Sequence, residues 1–303
     1  MDTPKILVIV GPTASGKTSL SIELAEKFNG EIVSADSRQV YRGLDIGTGK
    51  VTREEMQGVP HHLLDVADPH EVYTVHDFVR DGRTAIADIL SRGKLPIIVG
   101  GTFFYIDALL GTATMPEVPP NAKLREALEN HSTEELFEIL KEKDSERAET
   151  IDPHNRRRLI RAIEIASVIG RVPLTHAVTL YDALKIGIHI EKDALLKNIH
   201  TRLIERLDAG MIEEVVTLHT NGLSYERMTE IGIEYAYIAK YLQHMITEDE
   251  LCSLIETKSW QYAKRQMTWL KRDAGIVWVR KDETERIERL VKEFVSKRIK
   301  ATP

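Results

Sequence analysis

The run Gly11-Pro12-Thr13-Ala14-Ser15-Gly16-Lys17-Thr18 follows the apolar stretch Ile6–Val10 and precedes a helical-looking segment, Ser19–Phe28. Its spacing, G-x-x-x-x-G-K-[ST], has a mechanical meaning. The glycines let backbone N–H groups turn inward around an anion, Lys17 adds a positive charge, and the Thr18 hydroxyl can reach a Mg²⁺ ion. A helix beginning at Thr18 adds the positive end of its dipole. A strand before and a helix after are the context that separates a phosphate cradle from a glycine turn of purely structural use. The cradle alone does not say whether its phosphate is transferred or released.

Strand-like and helical runs alternate beyond it: Glu31–Ser34; His62–Val66, then Val75–Arg92; Leu95–Val99, then Phe103–Leu110. This alternation predicts an α/β fold of the P-loop type, a parallel sheet flanked by helices. Thr74 is placed to cap the helix that Gly93 closes, and Thr247 with Glu250 makes a capping box. Asp152 with Pro153 reads as a cap followed by proline at the first helical position. The proline-rich TMPEVPP, Thr114 to Pro120, interrupts the alternation, and the chain from there to about Gly170 reads as helix only. Strands return at Lys185–Ile190 and Ile276–Val279, the latter between a long helix ending near Arg272 and a C-terminal helix of mixed charge. The expected organisation is a catalytic core, residues 1–115 and 185–303, carrying an inserted all-helical module, residues 116–184.

With 303 residues, 42% hydrophobic and 29% charged, the chain has room for such a core and a smaller module. No run approaches the ~18 apolar residues of a membrane span, and the N-terminus enters a strand without the succession of a signal peptide. A cytoplasmic protein with neither membrane nor obligate protein partner is expected. The single cysteine, Cys252, forbids an intramolecular disulfide, and a buried thiol is its ordinary state. A net charge of −6 argues against indiscriminate nucleic-acid binding while leaving room for a local basic patch.

Ligands of open parallel sheets lie beyond the carboxyl ends of the strands. Asp36, ending the second strand, should therefore face the cradle; a helix cap or a partner for Arg38 is the plain alternative. Gly100-Gly101-Thr102 also follows a strand, where the glycines either admit a ligand to the backbone or only turn the chain. Arg156, Arg157, Arg158 and Arg161 crowd one segment, with Arg157 and Arg161 on one helix face; a solvated charged face is the usual outcome. Lys258, Lys264, Arg265, Lys271 and Arg272, interleaved with Trp260, Tyr262 and Trp269, form a second basic and aromatic strip whose aromatics fit a core equally well.

GPTASGKT, SADSRQVYRGLDIGTGK from Ser34, PHHLLD from Pro60, GGT followed by Tyr105, DPHNRRRLIRAIE from Asp152 and YAKRQMTWLKR from Tyr262 together resemble bacterial tRNA dimethylallyltransferases. The likeness spans nearly the whole chain, and Asp36–Lys50 is its most specific part. It implies transfer of a dimethylallyl group from dimethylallyl diphosphate to N6 of the adenosine just 3′ of the tRNA anticodon, releasing diphosphate. The phosphates in the cradle then belong to a leaving group, and the electrostatics that serve a transferring phosphoryl group serve a departing diphosphate equally.

The same resemblance assigns roles. Asp36 is the general base, since the lone pair of an adenine N6 is delocalised and needs proton removal as attack proceeds; such help is typically worth ~10²–10⁴-fold. Gly11, Pro12, Thr13, Ala14, Ser15, Gly16, Lys17 and Thr18 bind diphosphate, with Mg²⁺ on Thr18 and Thr13 near the bridging oxygen. Arg206 matches a diphosphate-binding arginine, although a salt bridge on a helix face is its other reading. Asp36, Ser37, Arg38, Gln39 and Thr102 meet the extruded adenosine or its neighbours, and Arg157, Arg158 and Arg161 meet the anticodon stem-loop.

The sequence departs from the family pattern at Phe103-Phe104, where the pattern has a small residue and Leu, and at Ile233-Glu234-Tyr235, where it has Tyr-Lys-Glu. The first could narrow the substrate channel; no tRNA contact is carried over from the second. The zinc finger of eukaryotic relatives is absent. Three rivals stay open: a P-loop small-molecule kinase using ATP, a prenyltransferase acting on free adenylate, and a nucleotide-dependent binding module. None of them explains both Asp36-Ser37-Arg38-Gln39 and the arginine cluster.

Overall fold

The computed structural model describes residues 3–113, 115–173 and 179–297. Among them, six strands pair in parallel in the order β3-β2-β4-β1-β5-β6: β1 (Lys5–Val10), β2 (Gly30–Ala35), β3 (His61–His62), β4 (Leu95–Gly100), β5 (Asp182–His189) and β6 (Ile276–Arg280). Ile6–Val10, β2 and β4 are buried throughout, as near-continuous apolar strands covered on both faces must be. On one face α1 (Lys17–Lys27) and α13 (Thr284–Ser296) insert Leu20, Ile22, Leu24, Ile287 and Val291 against Leu7, Ile9, Ile32, Ile97 and Ile186. On the other lie α2 (Val75–Ser91) and α3 (Phe103–Leu110). The capping box at the start of α2 joins Thr74 to Asp77, and Gly93, at φ 69, follows its end.

A second core gathers Val40, Tyr41 and Leu44 with α8 (Lys192–Asp208), α9 (Met211–Thr220), α10 (Tyr225–Ile231), α11 (Ile233–Leu242) and α12 (Glu248–Leu270). Thr247 and Glu250 cap α12 reciprocally. No helix of the described residues is long and apolar enough to cross a membrane.

The chain divides into two compact units: one runs to Leu110 and resumes at Thr179, the other is Gly111–Val178. The second unit holds α4 (Ala122–Glu129), α5 (Thr133–Lys143), α6 (Ser145–Thr150) and α7 (Arg156–Ile169) around Leu128, Leu136, Leu140, Leu159 and Ile163. Within it, the buried Glu164 carboxylate takes bonds from Arg125, from the Asn121 N–H and from Arg161. β5 opens at Asp182, ahead of the expected return to the sheet at Lys185.

Four local expectations are corrected. The strand expected over His62–Val66 is only His61–His62, because Leu63 and Asp65 take left-handed φ values of 64 and 57 that end the pairing. The cap of α7 is Asn155, whose side chain accepts from the Arg158 N–H at 3.2 Å; Asp152 instead closes a turn onto the His154 N–H. The helix after the cradle begins at Lys17 rather than Thr18. Cys252 is half-buried rather than buried.

Candidate active site

The strand order sets β1 between β4 and β5, and the loops leaving β1, β2 and β4 share a cleft of about 1010 Å³. After β1 the chain turns through Ala14 at φ 60 and Gly16 at φ 86, both left-handed, into α1. The N–H groups of Ala14, Ser15 and Gly16 have no partner among the described residues. Ser15 Oγ is buried and equally unpartnered. A buried donor without an acceptor is rare unless a ligand supplies one. Lys17 Nζ rests on the Pro12 carbonyl at 2.7 Å. Burial and the neighbouring Arg202 push its ammonium down to about 7, against a smaller upward pull from Asp36. The cradle is thus a concentration of donors and positive charge suited to an anion.

Asp36 stands at the end of β2 on the same cleft. Its Oδ1 accepts the N–H of Arg38 at 2.8 Å and of Gln39 at 3.4 Å, while Oδ2 has no partner among the described residues. The carboxylate is fixed through one oxygen and free through the other, and it forms no ion pair with the Arg38 guanidinium. At the end of β4, Gly100 passes so close to β2 that a Cβ on it would lie 2.1 Å from the Ala35 carbonyl oxygen. This approach lets Thr102 Oγ1 accept the Ser37 N–H at 3.2 Å. Gln39 lines the cleft and donates to the Gly49 carbonyl at 3.0 Å.

Two residues bind this wall to the cradle without standing out in the sequence. Arg202 of α8, half-buried, donates to Thr13 Oγ1 at 2.5 Å, and desolvation lowers its guanidinium to about 10. Gln266 of α12 accepts the Thr13 N–H at 2.7 Å and donates to the Gly101 carbonyl at 3.0 Å. Arg202 could have been sought as a second arginine one helical turn before Arg206; Gln266 lies inside YAKRQMTWLKR, with only a spatial reason to single it out.

Arg206 lines the cleft, but its guanidinium is engaged by Glu234 at 3.4 Å and by the Gly47 carbonyl at 3.2 Å. Glu234 is one of the residues that depart from the family pattern. Its neighbour Tyr235 donates to Glu214 at 2.7 Å, and Glu214 accepts the N–H groups of Asp45, Ile46 and Gly47. The departing residues therefore brace the cleft wall. Phe103 is buried, Phe104 is exposed, and neither lines the cleft, so they do not narrow it.

In the helical unit, Arg157 and Arg158 project to solvent without a partner among the described residues, whereas Arg161 serves Glu164 and donates to the Val118 carbonyl at 2.8 Å. Arg156 is also internal, donating to the Leu128, Glu129 and His131 carbonyls at the end of α4. On α12, Trp260 packs on Leu195 and Ile199 and Trp269 donates to Asp107, while Lys264, Arg265, Lys271 and Arg272 are exposed and Lys258 is half-buried.

A P-loop cradle facing a carboxylate across one cleft defines a transferase-type α/β site for an anionic substrate. The family model described as IPP transferase matches residues 39–273, and that described as Isopentenyl transferase matches residues 4–70. The chain belongs to the tRNA dimethylallyltransferase (IPP transferase) family. It is 41% identical to the tRNA dimethylallyltransferase of Anoxybacillus flavithermus, with 96% of this chain and 95% of the relative covered. It is 44% identical to tRNA dimethylallyltransferase 1 of Geotalea uraniireducens, covering 88% of each. The crystal structure of the tRNA isopentenylpyrophosphate transferase from Bacillus halodurans is similar at a TM-score of 0.73 and 34% identity, with 97% of each chain covered. A eukaryotic dimethylallyltransferase acting on tRNA is similar at a TM-score of 0.83 and 27% identity, covering 99% of this chain and 81% of that one.

Proposed function

We propose that this enzyme transfers a dimethylallyl group from dimethylallyl diphosphate to N6 of the adenosine just 3′ of a tRNA anticodon. The observation that carries the reading is the shared cleft, with an anion cradle on one side and Asp36, free through Oδ2, on the other. The N6 lone pair attacks the C1 methylene, the C1–O bond breaks, diphosphate departs into the cradle, and the N6 proton passes to Asp36. The Ala14–Gly16 N–H groups, Ser15 Oγ and Lys17 neutralise the charge that develops on the leaving group. Thr13 Oγ1 already accepts from Arg202, so its own hydrogen is available to the bridging oxygen.

Thr18, which lines the cleft in the first turn of α1, would hold Mg²⁺ at this site through its hydroxyl. Among the described residues no group of three or more His, Cys, Asp or Glu could cage a metal, in keeping with a cation held chiefly by its substrate. When bound, it would supply further neutralisation of the leaving diphosphate. Ser37, Arg38, Gln39 and Thr102 would meet the extruded adenosine, and Arg157 and Arg158 the phosphates of the anticodon stem-loop. Arg206 lines the cleft while it also engages Glu234, and Arg202, bonded to Thr13, would join it in facing the diphosphate.

The test offers carbon-labelled dimethylallyl diphosphate to the enzyme with unmodified tRNA, AMP or water. Label entering tRNA alone is expected. Label entering AMP in preference to tRNA would make the acceptor a free nucleotide, and label in neither would refute transfer.

A further inference from the structure

Lys281 lies in the turn between β6 and α13, outside the cradle motif, yet it lines the same cleft. Its stem crosses the phosphate loop at Gly16: a Cβ built on Gly16 would stand 3.0 Å from Lys281 Cδ and 3.3 Å from Nζ. Gly16 is the residue from which α1 springs, so the ammonium sits beside the helix N-terminus, where phosphate oxygens are held. The residues on either side of it pair with each other, Arg280 with Asp282 at 3.1 Å, and among the described residues no carboxylate pairs with Lys281. Lys17 rests on the Pro12 carbonyl and Arg202 on Thr13.

We propose that Lys281 is a further diphosphate-binding residue, which the β6–α13 turn supplies to the leaving group from outside the G-x-x-x-x-G-K-[ST] motif. The inference rests on the reading of the cleft as a diphosphate site. Because a lysine ammonium acts as a point charge, arginine should replace it here with little loss. A Cβ at left-handed Gly16 would crowd the end of the Lys281 side chain and require it to shift by a few tenths of an ångström.

Calorimetric titration with inorganic diphosphate tests the assignment, using the full chain and its Lys281→Ala, Lys281→Arg and Lys17→Ala variants. Lys281 is exposed, so its replacement leaves the fold intact. Lys281→Ala is expected to weaken diphosphate binding roughly 3- to 10-fold, with the difference shrinking as salt rises, and Lys281→Arg to restore it. KM for dimethylallyl diphosphate should rise in step while tRNA affinity stays unchanged. Binding by Lys281→Ala within about 1.5-fold of the parent at low salt, or a loss confined to tRNA affinity, would overturn the assignment. If Lys17→Ala loses diphosphate while Lys281→Ala keeps it, the cradle stands and only Lys281 falls. If the parent enzyme binds no diphosphate, both fall together.

Discussion

Asp36 is a residue whose job can be separated from its surroundings, because its bonds to the Arg38 and Gln39 N–H groups use one oxygen. Asp36→Asn keeps an oxygen for those bonds and removes the base, so kcat should fall roughly 10²–10⁴-fold while diphosphate and tRNA affinities barely change. Steady-state kinetics within a few-fold of the parent would take Asp36 out of the mechanism. Lys17 carries a pH signature. Its ammonium titrates near 7 in the free enzyme, and a bound anion must raise that value, so at pH 8 diphosphate binding should take up a proton. Calorimetry in buffers of differing ionisation enthalpy should register the uptake in the parent and lose it in Lys17→Ala. The cradle and Asp36 were legible in the sequence because a motif and a strand end fix backbone position. Arg202 was not. Arg202 and Arg206 lie one turn apart on α8, and only the packed structure decides that the first meets Thr13 and the second Glu234.

At the scale of elements, α7 separates two kinds of arginine that look alike in RRRLIR. Arg161 helps hold the buried Glu164, whereas Arg157 and Arg158 are free. Arg157→Ala with Arg158→Ala should leave the fold stable, weaken tRNA binding across sequences, and flatten its salt dependence by roughly 0.7–0.9 of a log–log unit for each phosphate that is no longer neutralised. An unchanged slope in a filter-binding titration would return the pair to a solvated face. Adding Arg161→Ala would confuse binding with stability. Glu164→Gln should destabilise by about 3 kcal/mol in chemical denaturation, because it leaves Arg125 and Arg161 facing a neutral group. Burial pushes the Glu164 carboxyl up, but its bonds from Arg125, Asn121 and Arg161 prevail and bring it down to about 2. A lowered folded value gives stability that is complete above the unfolded value of 4.5 and is lost as pH falls toward 2. A long element such as α2 follows directly from apolar periodicity. The Asn155 cap and the two-residue β3 do not, because Asp152-Pro153 offers an equally good local start and the left-handed turns at Leu63 and Asp65 leave no mark in an apolar run.

For the whole molecule, a parallel sheet with a P-loop cradle would serve, on the proposed reading, a reaction in which phosphate is released rather than transferred. The alternation of strands made the sheet legible, and the proline-rich break at Thr114 to Pro120 marked the helical unit, because both are patterns of local composition. The cleft wall was not legible. It is assembled from β2, β4, α8, α11 and α12, whose meeting depends on packing between distant segments. The central claim is that the cradle holds a leaving group, and one double-label measurement tests it directly. Dimethylallyl diphosphate labelled with ¹⁴C in the prenyl chain and ³²P in the phosphates is incubated with the enzyme, Mg²⁺ and unmodified tRNA, and both labels are followed. The account predicts ¹⁴C in the RNA and all ³²P in free diphosphate, in equal molar amounts; ³²P attached to the acceptor, with the prenyl chain left behind, would contradict it.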